Sequence, residues 1–333
     1  MASHWHLSNA MRPGNFGFPA VTLSRVGVPT SLSKAWLTRP TTFLAGPFAA
    51  LLALQLVGVS IDGAALTMAA CIAILLFGLP HGALDLEIIK RERGTGRLGI
   101  SGLILLYLGL AAAMAAVWRL APVVALAIFI VVAVIHFAED WEDLQSQFLA
   151  QGMAIALLAA PALFHMADLE RLFIALSGRS DAALVANLIL LLAPVSMALA
   201  SVAAWTLWQT GFRDQAVAGT LLLIAMTILP PVVGFALFFC LYHSPRHLGA
   251  ALSRVDWSPS SRWIIPLVTL AALGIAAALF ANAVRADLPA QLVAASFMTL
   301  SLLTVPHMVV PAVVDALALR RSEARNERGR LTA

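Results

Sequence analysis

Apolar runs recur along most of this chain, separated by short polar clusters. Runs long enough to cross a bilayer, about 17–25 residues, lie at 41–60, 64–89, 100–118, 122–138, 146–164, 184–209, 262–282 and 289–316. The stretch 215–253 is too long for one helix, and Pro230-Pro231 interrupts it. Proline lacks a backbone donor and turns the preceding residue away from helical geometry, so two spans are predicted there, 215–230 and 232–253. The pattern therefore predicts an all-α integral membrane protein, a multi-pass helical bundle of about ten transmembrane helices, with eight or nine if one segment is re-entrant. Residues 1–40 hold no apolar run and are rich in Ser, Pro and Gly. They are expected to form a partly disordered cytoplasmic tail before a membrane domain over 41–316 and a basic tail over 317–333.

Composition agrees. Of 333 residues, 61% are hydrophobic and 11% charged, with a mean hydropathy of +0.90. A soluble domain carries roughly a quarter charged residues, so most of this surface must face lipid. The net charge of +4 reads as membrane topology, because no dense basic run is interleaved with aromatics as nucleic-acid binding would require. Arg12, Arg25, Lys34 and Arg39 precede the first span, and Lys90, Arg91, Arg93 and Arg97 follow the second. Arg320, Arg321, Arg325, Arg328 and Arg330 follow the last. Ten spans put all three groups on the cytoplasmic side and leave only Arg119, Arg171, Arg179 and Arg285 in outer loops. Nine would expose the basic C-terminal tail outside, against the positive-inside rule. The expected location is the inner (plasma) membrane, with both termini cytoplasmic. Cys71 and Cys240 lie in apolar runs and read as core residues, and Gly94-Thr-Gly-Arg-Leu-Gly99 has no preceding strand and reads as a loop.

Eight histidines are present. His4 and His6 fall in the tail and His165 at a span end. His81, His136, His243, His247 and His307 lie within apolar runs. An unpaired ionisable group at membrane depth is costly, which makes each a functional candidate. In the ten-span arrangement all five fall in the cytoplasmic half of the bilayer. His243-Ser-Pro-Arg-His247 sets two imidazoles at i and i+4 on one helix face, as two ligands from one helix require. Asp85 and Asp140 follow His81 and His136 by four residues and are candidate partners for ligand N–H groups, on their own helix or across to the other. Arg246 lies between the paired histidines. Four neutral imidazoles suit iron, copper or zinc, and spacing does not choose among them.

Three motifs, Gly78-Leu-Pro-His-Gly-Ala-Leu-Asp85, His136-Phe-Ala-Glu-Asp-Trp141 and Tyr242-His-Ser-Pro-Arg-His247, together resemble the Brp/Blh family of membrane β-carotene 15,15′-dioxygenases, over roughly residues 41 to 316. The resemblance implies cleavage of the central double bond of β-carotene with O2 to give two retinals, which serve a retinal-binding rhodopsin. It also implies Fe(2+) held by His81, His136, His243 and His247. His307 matches no ligand position of the family. On this reading the polyene enters from lipid into an apolar tunnel for which Phe137, Trp141, Phe235, Phe238 and Phe239 are candidates. Tyr242 is the candidate catalytic hydrogen-bond donor to an oxygen intermediate. The alternative is a polytopic metal or proton transporter with a membrane-embedded His cluster. A di-iron oxygenase needs more histidine boxes than the single H-x3-H here. A rhodopsin needs a mid-helix lysine, and the only lysines are Lys34 and Lys90.

Overall fold

A computed structural model describes residues 39–58, 61, 63–92, 99–254, 270, 273–275, 277–278 and 288–331, with the side chains of 79–98, 100, 250–254, 315 and 318–331 outside that description. The predicted tail up to residue 38 and most of the predicted span 262–282 lie outside the described residues. Among the described residues every regular element is helical: α1 (Pro40–Leu56), α2 (Ala64–Glu92), α3 (Gly99–Leu120), α4 (Pro122–Ala138), α5 (Gln147–Ala159), α6 (Met166–Ser177), α7 (Ala183–Gln209), α8 (Arg213–Ile228), α9 (Pro231–Phe238), α10 (Ser244–Arg254) and α11 (Leu288–Leu331).

Every predicted span outside 262–282 coincides with one of these helices or with a continuous pair of them. Among the described residues, four helical stretches are long and apolar enough to cross a membrane by themselves: Ser101–Leu120, Pro122–Leu144, Ser180–Gln209 and Leu288–Val314. A fifth counts if the bent pair Gln147–Leu163 and Met166–Ser177 is one span. α1 has 17 residues, and α8 has 16 and begins Arg213-Asp214, so each falls short by itself, while the predicted span 262–282 and the side chains of α2 beyond Gly78 lie outside the described residues. The break at Pro230 is present: α8 stops at Ile228, Leu229 is extended, and Pro231 opens α9 at a position where its missing N–H costs nothing.

Small residues let α5 and α7 approach closely, the usual device where lipid supplies no hydrophobic drive between helices. Ala150, Ala154 and Ala156 on α5 are buried, as are Ala193, Ala200 and Ala203 on α7. A Cβ on Gly152 would stand 2.7 Å from the Cβ of Leu199. The opposite face of α7 is Leu184, Leu188, Leu191 and Val195, all exposed, as a lipid-facing stripe requires.

Polar contacts tie together the helix ends that alternation of spans demands. Thr41 N and Oγ1 donate to Asp214 Oδ2 (3.3 Å) and its carbonyl (3.2 Å). Gln215 Nε2 donates to Asp143 Oδ2 (2.7 Å), and Arg246 donates to the carbonyl of Asp140 (3.3 Å). The start of α1, the turn after α4, the start of α8 and α10 thus share one end of the bundle. At the other end His165 Nε2 donates to the carbonyl of Ile228 (2.9 Å), tying the corner after α5 to the end of α8.

One element departs from the sequence reading. Residues 166–177, read there as connecting loop, form α6, which turns 107° from the preceding helix. Leu169, Phe173 and Leu176 are buried at helical spacing, while Arg171 is exposed and pairs with Asp168. A short amphipathic helix carries too few apolar residues to register as a span, and it suits a position along the membrane interface.

Candidate metal centre

α4 ends in a change of helical pitch that builds the site. The chain tightens into a 3-10 turn over Glu139–Leu144, with Trp141 out of helical geometry (φ −115°, ψ 29°) and Gln145 left-handed (φ 53°). The turn folds Glu139 back onto its own helix, where its Oε2 lies 3.2 Å from His136 Nδ1. It sends Asp140 across to the neighbouring helix. Trp141 is packed beneath, against Gly219, whose absent side chain makes the room: a Cβ there would be 3.0 Å from the indole.

The neighbouring helix has its own irregularity. α9 and α10 are joined through a π turn, Phe239–His243, whose extra residue per turn resets the direction of the side chains that follow. His243 and His247 come off it with ring centroids 4.4 Å apart. His136 is 4.7 Å from His243 and 4.9 Å from His247 by the same measure. One nitrogen from each of the three can be chosen so that all lie within 4.8 Å of one another. Asp140 bridges the pair: Oδ2 is 2.8 Å from His243 Nδ1, and Oδ1 is 3.2 Å from His247 Nε2. Asp140 and His243 are almost wholly buried. A carboxylate so placed depends on its two histidine partners, with the Arg246 guanidinium close by, which makes the trio a unit.

His307, the histidine set aside in the sequence reading, enters from α11 with its ring 5.0 Å from that of His136. Its place within the apolar run 289–316, predicted in the same half of the bilayer as the other four, is the sequence signal for it. The side chains of His81 and Asp85 lie outside the described residues. The backbone of His81 continues α2 one turn beyond Gly78, which is packed against Phe239 and Leu300. His4 and His6 are outside the described residues, and His165 sits at the far end of the bundle.

Two apolar cavities meet beside this cluster. One is lined by His136 and His307 with Gly78, Phe239, Leu300 and Thr304. The other runs beneath α6. Phe129, Ala133 and Phe137, at i, i+4 and i+8 on α4, line both. Of the five candidate tunnel aromatics, Phe137, Phe235 and Phe239 line a cavity. Trp141 and Phe238 are instead fully buried packing residues. The ring of Tyr242 stacks on Trp141 (5.1 Å) with the Arg246 guanidinium carbon 5.3 Å from its centroid, and its buried hydroxyl has no hydrogen-bond partner among the described residues.

An all-helical bundle with lipid-compatible faces and a buried histidine–carboxylate cluster opening onto apolar cavities defines a class: a membrane protein with a candidate metal site suited to an apolar ligand. The family model described as beta-carotene 15,15′-dioxygenase matches residues 72–315, and the chain belongs to that family of oxidoreductases. It is 27% identical over 253 residues to a beta-carotene 15,15′-dioxygenase from uncultured marine bacterium 66A03, covering 71% of this chain and 90% of that protein. It is 28% identical over 332 residues to the probable beta-carotene 15,15′-dioxygenase Blh of Halobacterium salinarum, covering 86% and 95%. No solved structure matches.

Proposed function

We propose that this protein cleaves the central 15,15′ double bond of β-carotene with O2 to give two molecules of all-trans-retinal, at a non-haem Fe(2+) site in the bilayer. The observation that carries the reading is the triad of buried His136 and His243 and half-buried His247, oriented by carboxylates and opening onto apolar space. The donor set fits the ion. Glu139 and Asp140 occupy the Nδ1 edges of His136 and His243, which directs Nε2 of each ring to a metal. Neutral imidazoles are suitable donors for Fe(2+). His81 is assigned as the fourth ligand on the strength of its motif. When bound, Fe(2+) supplies the site for reaction with O2.

The chain's own groups do the rest. Phe129, Phe137 and Phe239 wall the cavity and keep water from the polyene. Asp140 holds two imidazoles in fixed orientation. Tyr242, with its hydroxyl buried and unpartnered among the described residues, is the proposed catalytic donor from Oη to reacting oxygen.

The reading includes ten spans and both termini in the cytoplasm of a cell whose inner membrane holds the enzyme, with the retinal passing to a rhodopsin. In its support, α10 ends at the Asp140 end of the bundle. α11 starts toward the other end, where Ser296 Oγ meets the carbonyl of Cys71 near the start of α2 (3.5 Å). A ninth span within 262–282 requires that arrangement. The domain reading carries over: a cytoplasmic tail over 1–40, the catalytic membrane domain over 41–316 and a cytoplasmic tail over 317–333, of which α11 extends as far as Leu331.

The test is expression in a host that accumulates β-carotene, with pigment chromatography and His243→Ala as control. Retinal that appears with the wild type and not with the variant is the expected result. Unchanged β-carotene in an inserted, iron-loaded protein would mean another substrate, or would turn the assignment toward the transporter alternative.

A further inference from the structure

We propose that the chamber beneath α6 is the seat for one half of the polyene, and that its depth decides which double bond stands at the histidines. The inference rests on the carotenoid-cleaving reading above. Three observations on the structure carry it.

The first is continuity. Phe129, Ala133 and Phe137 line the chamber and the histidine cavity alike. They occupy one face of α4, the helix that carries His136 at its end. An extended molecule lying along that face passes from the histidines into the chamber without crossing a polar group. The second is the wall. All the side chains lining the chamber are apolar, among them Leu172, Phe173, Leu176, Ile189, Met226 and Phe297. The third is reach. Leu126, at the far part of the lining, precedes His136 by ten residues, about 15 Å along an α-helix. That length is comparable to an extended retinal, and the chamber, about 70 Å³ in this structure, must widen around a bound polyene.

α6 covers this chamber and is built as a cover. Its buried edge, Leu169, Phe173 and Leu176, faces inward, and its exposed side carries Arg171 paired to Asp168. Its N-terminal end is pinned through His165 to the carbonyl of Ile228, and its C-terminal end stops on left-handed Gly178 (φ 70°). The 107° turn after α5 sets it at a steep angle to that helix, and its inner edge forms one wall of the chamber. The other half of a symmetric substrate then extends the opposite way, past Gly78 and Leu300.

The experiment uses the iron-loaded protein in lipid, first without oxygen and then with it. Bound β-carotene per protein is measured by absorbance, and retinal by chromatography after oxygen is admitted. Leu172→Trp fills the chamber from the α6 side, and Leu188→Trp, on the lipid face of α7, is the control. Leu172→Trp is expected to lower both pigment binding and retinal formation at least about ten-fold, with iron content and helicity as in the wild type, while Leu188→Trp matches the wild type. Wild-type binding and cleavage by Leu172→Trp would overturn the chamber and leave the proposed function standing. Chamber-dependent pigment binding without retinal would do the reverse. If Leu172→Trp loses iron or helicity, Leu172→Ala decides. A deeper seat is expected to give off-centre cleavage products beside retinal, and an unchanged product ratio would overturn the proposal.

Discussion

Asp140 and His243 are 103 positions apart in the chain and meet at 2.8 Å, with both side chains almost wholly buried. The pairing depends on two local irregularities. The 3-10 turn after α4 aims the carboxylate, and the π turn before α10 aims the imidazole. Because the same carboxylate also reaches His247, one side chain orients two of the three clustered rings. Asp140→Asn is therefore expected to weaken iron retention by about 10–100-fold, the cost usual for losing such an outer partner. Metal analysis of the purified variant is the check, and wild-type iron content would show that the bridge does not orient the ligands.

The ring of His307 lies 5.0 Å from that of His136, beside the group of three histidines. Its removal is expected to lower iron retention by roughly ten-fold and to change the electron paramagnetic resonance spectrum of the nitric-oxide-treated protein. An identical spectrum and iron content in His307→Ala would leave His307 as a cavity-wall residue only.

The close approach of α5 and α7 makes a prediction about stability that is separate from the chemistry. At Gly152 the nearest atom to an added Cβ is the Cβ of Leu199, which cannot swing aside as a flexible side-chain end would. Gly152→Ala must push the helices apart, at a cost of about 1–3 kcal/mol. A clear fall in melting temperature is expected, with iron content per folded protein unchanged. An unaltered melting temperature would mean that the pair separates without cost.

Much of this architecture is legible in the sequence, because a span is specified by a long apolar run and its ends by proline, glycine and charge. Pro230-Pro231 divided 215–253 where α8 gives way to α9, and His243 and His247 fall on one helix face as their spacing implies. Asp140 was visible as a candidate partner, with its helix of action left open; the structure shows that it acts across the bundle. What the sequence hid has physical reasons. α6 has its apolar residues on one edge only, so no hydropathy run marks it. Glu139 pairs with His136 through a 3-10 turn that nothing in the helical period announces. The nearness of His307 to His136 depends on how α11 packs against α2 and α4, which local pattern does not encode. The packing roles of Trp141 and Phe238, against the expectation that they line a tunnel, are likewise set by neighbours such as Gly219.

Gly78 offers a test of the cavity beside the histidines. A Cβ there would lie 3.3 Å from the ring of Phe239 and 3.4 Å from Leu300, so alanine is tight and anything larger must enter the space bounded by His136 and His307. Both neighbours are side chains, which can give a few tenths of an ångström, so Gly78→Ala should fold and retain most activity. Gly78→Leu cannot be absorbed that way, and its branch is expected to occupy the path of the polyene. Retinal formation should fall at least about ten-fold, equivalent to about 1.4 kcal/mol in the barrier, while iron content stays at the wild-type level. Full activity in Gly78→Leu would mean that the substrate reaches the histidines by another route. Loss of iron together with activity would instead show that α2, which carries His81 one turn further on, had been displaced as a unit.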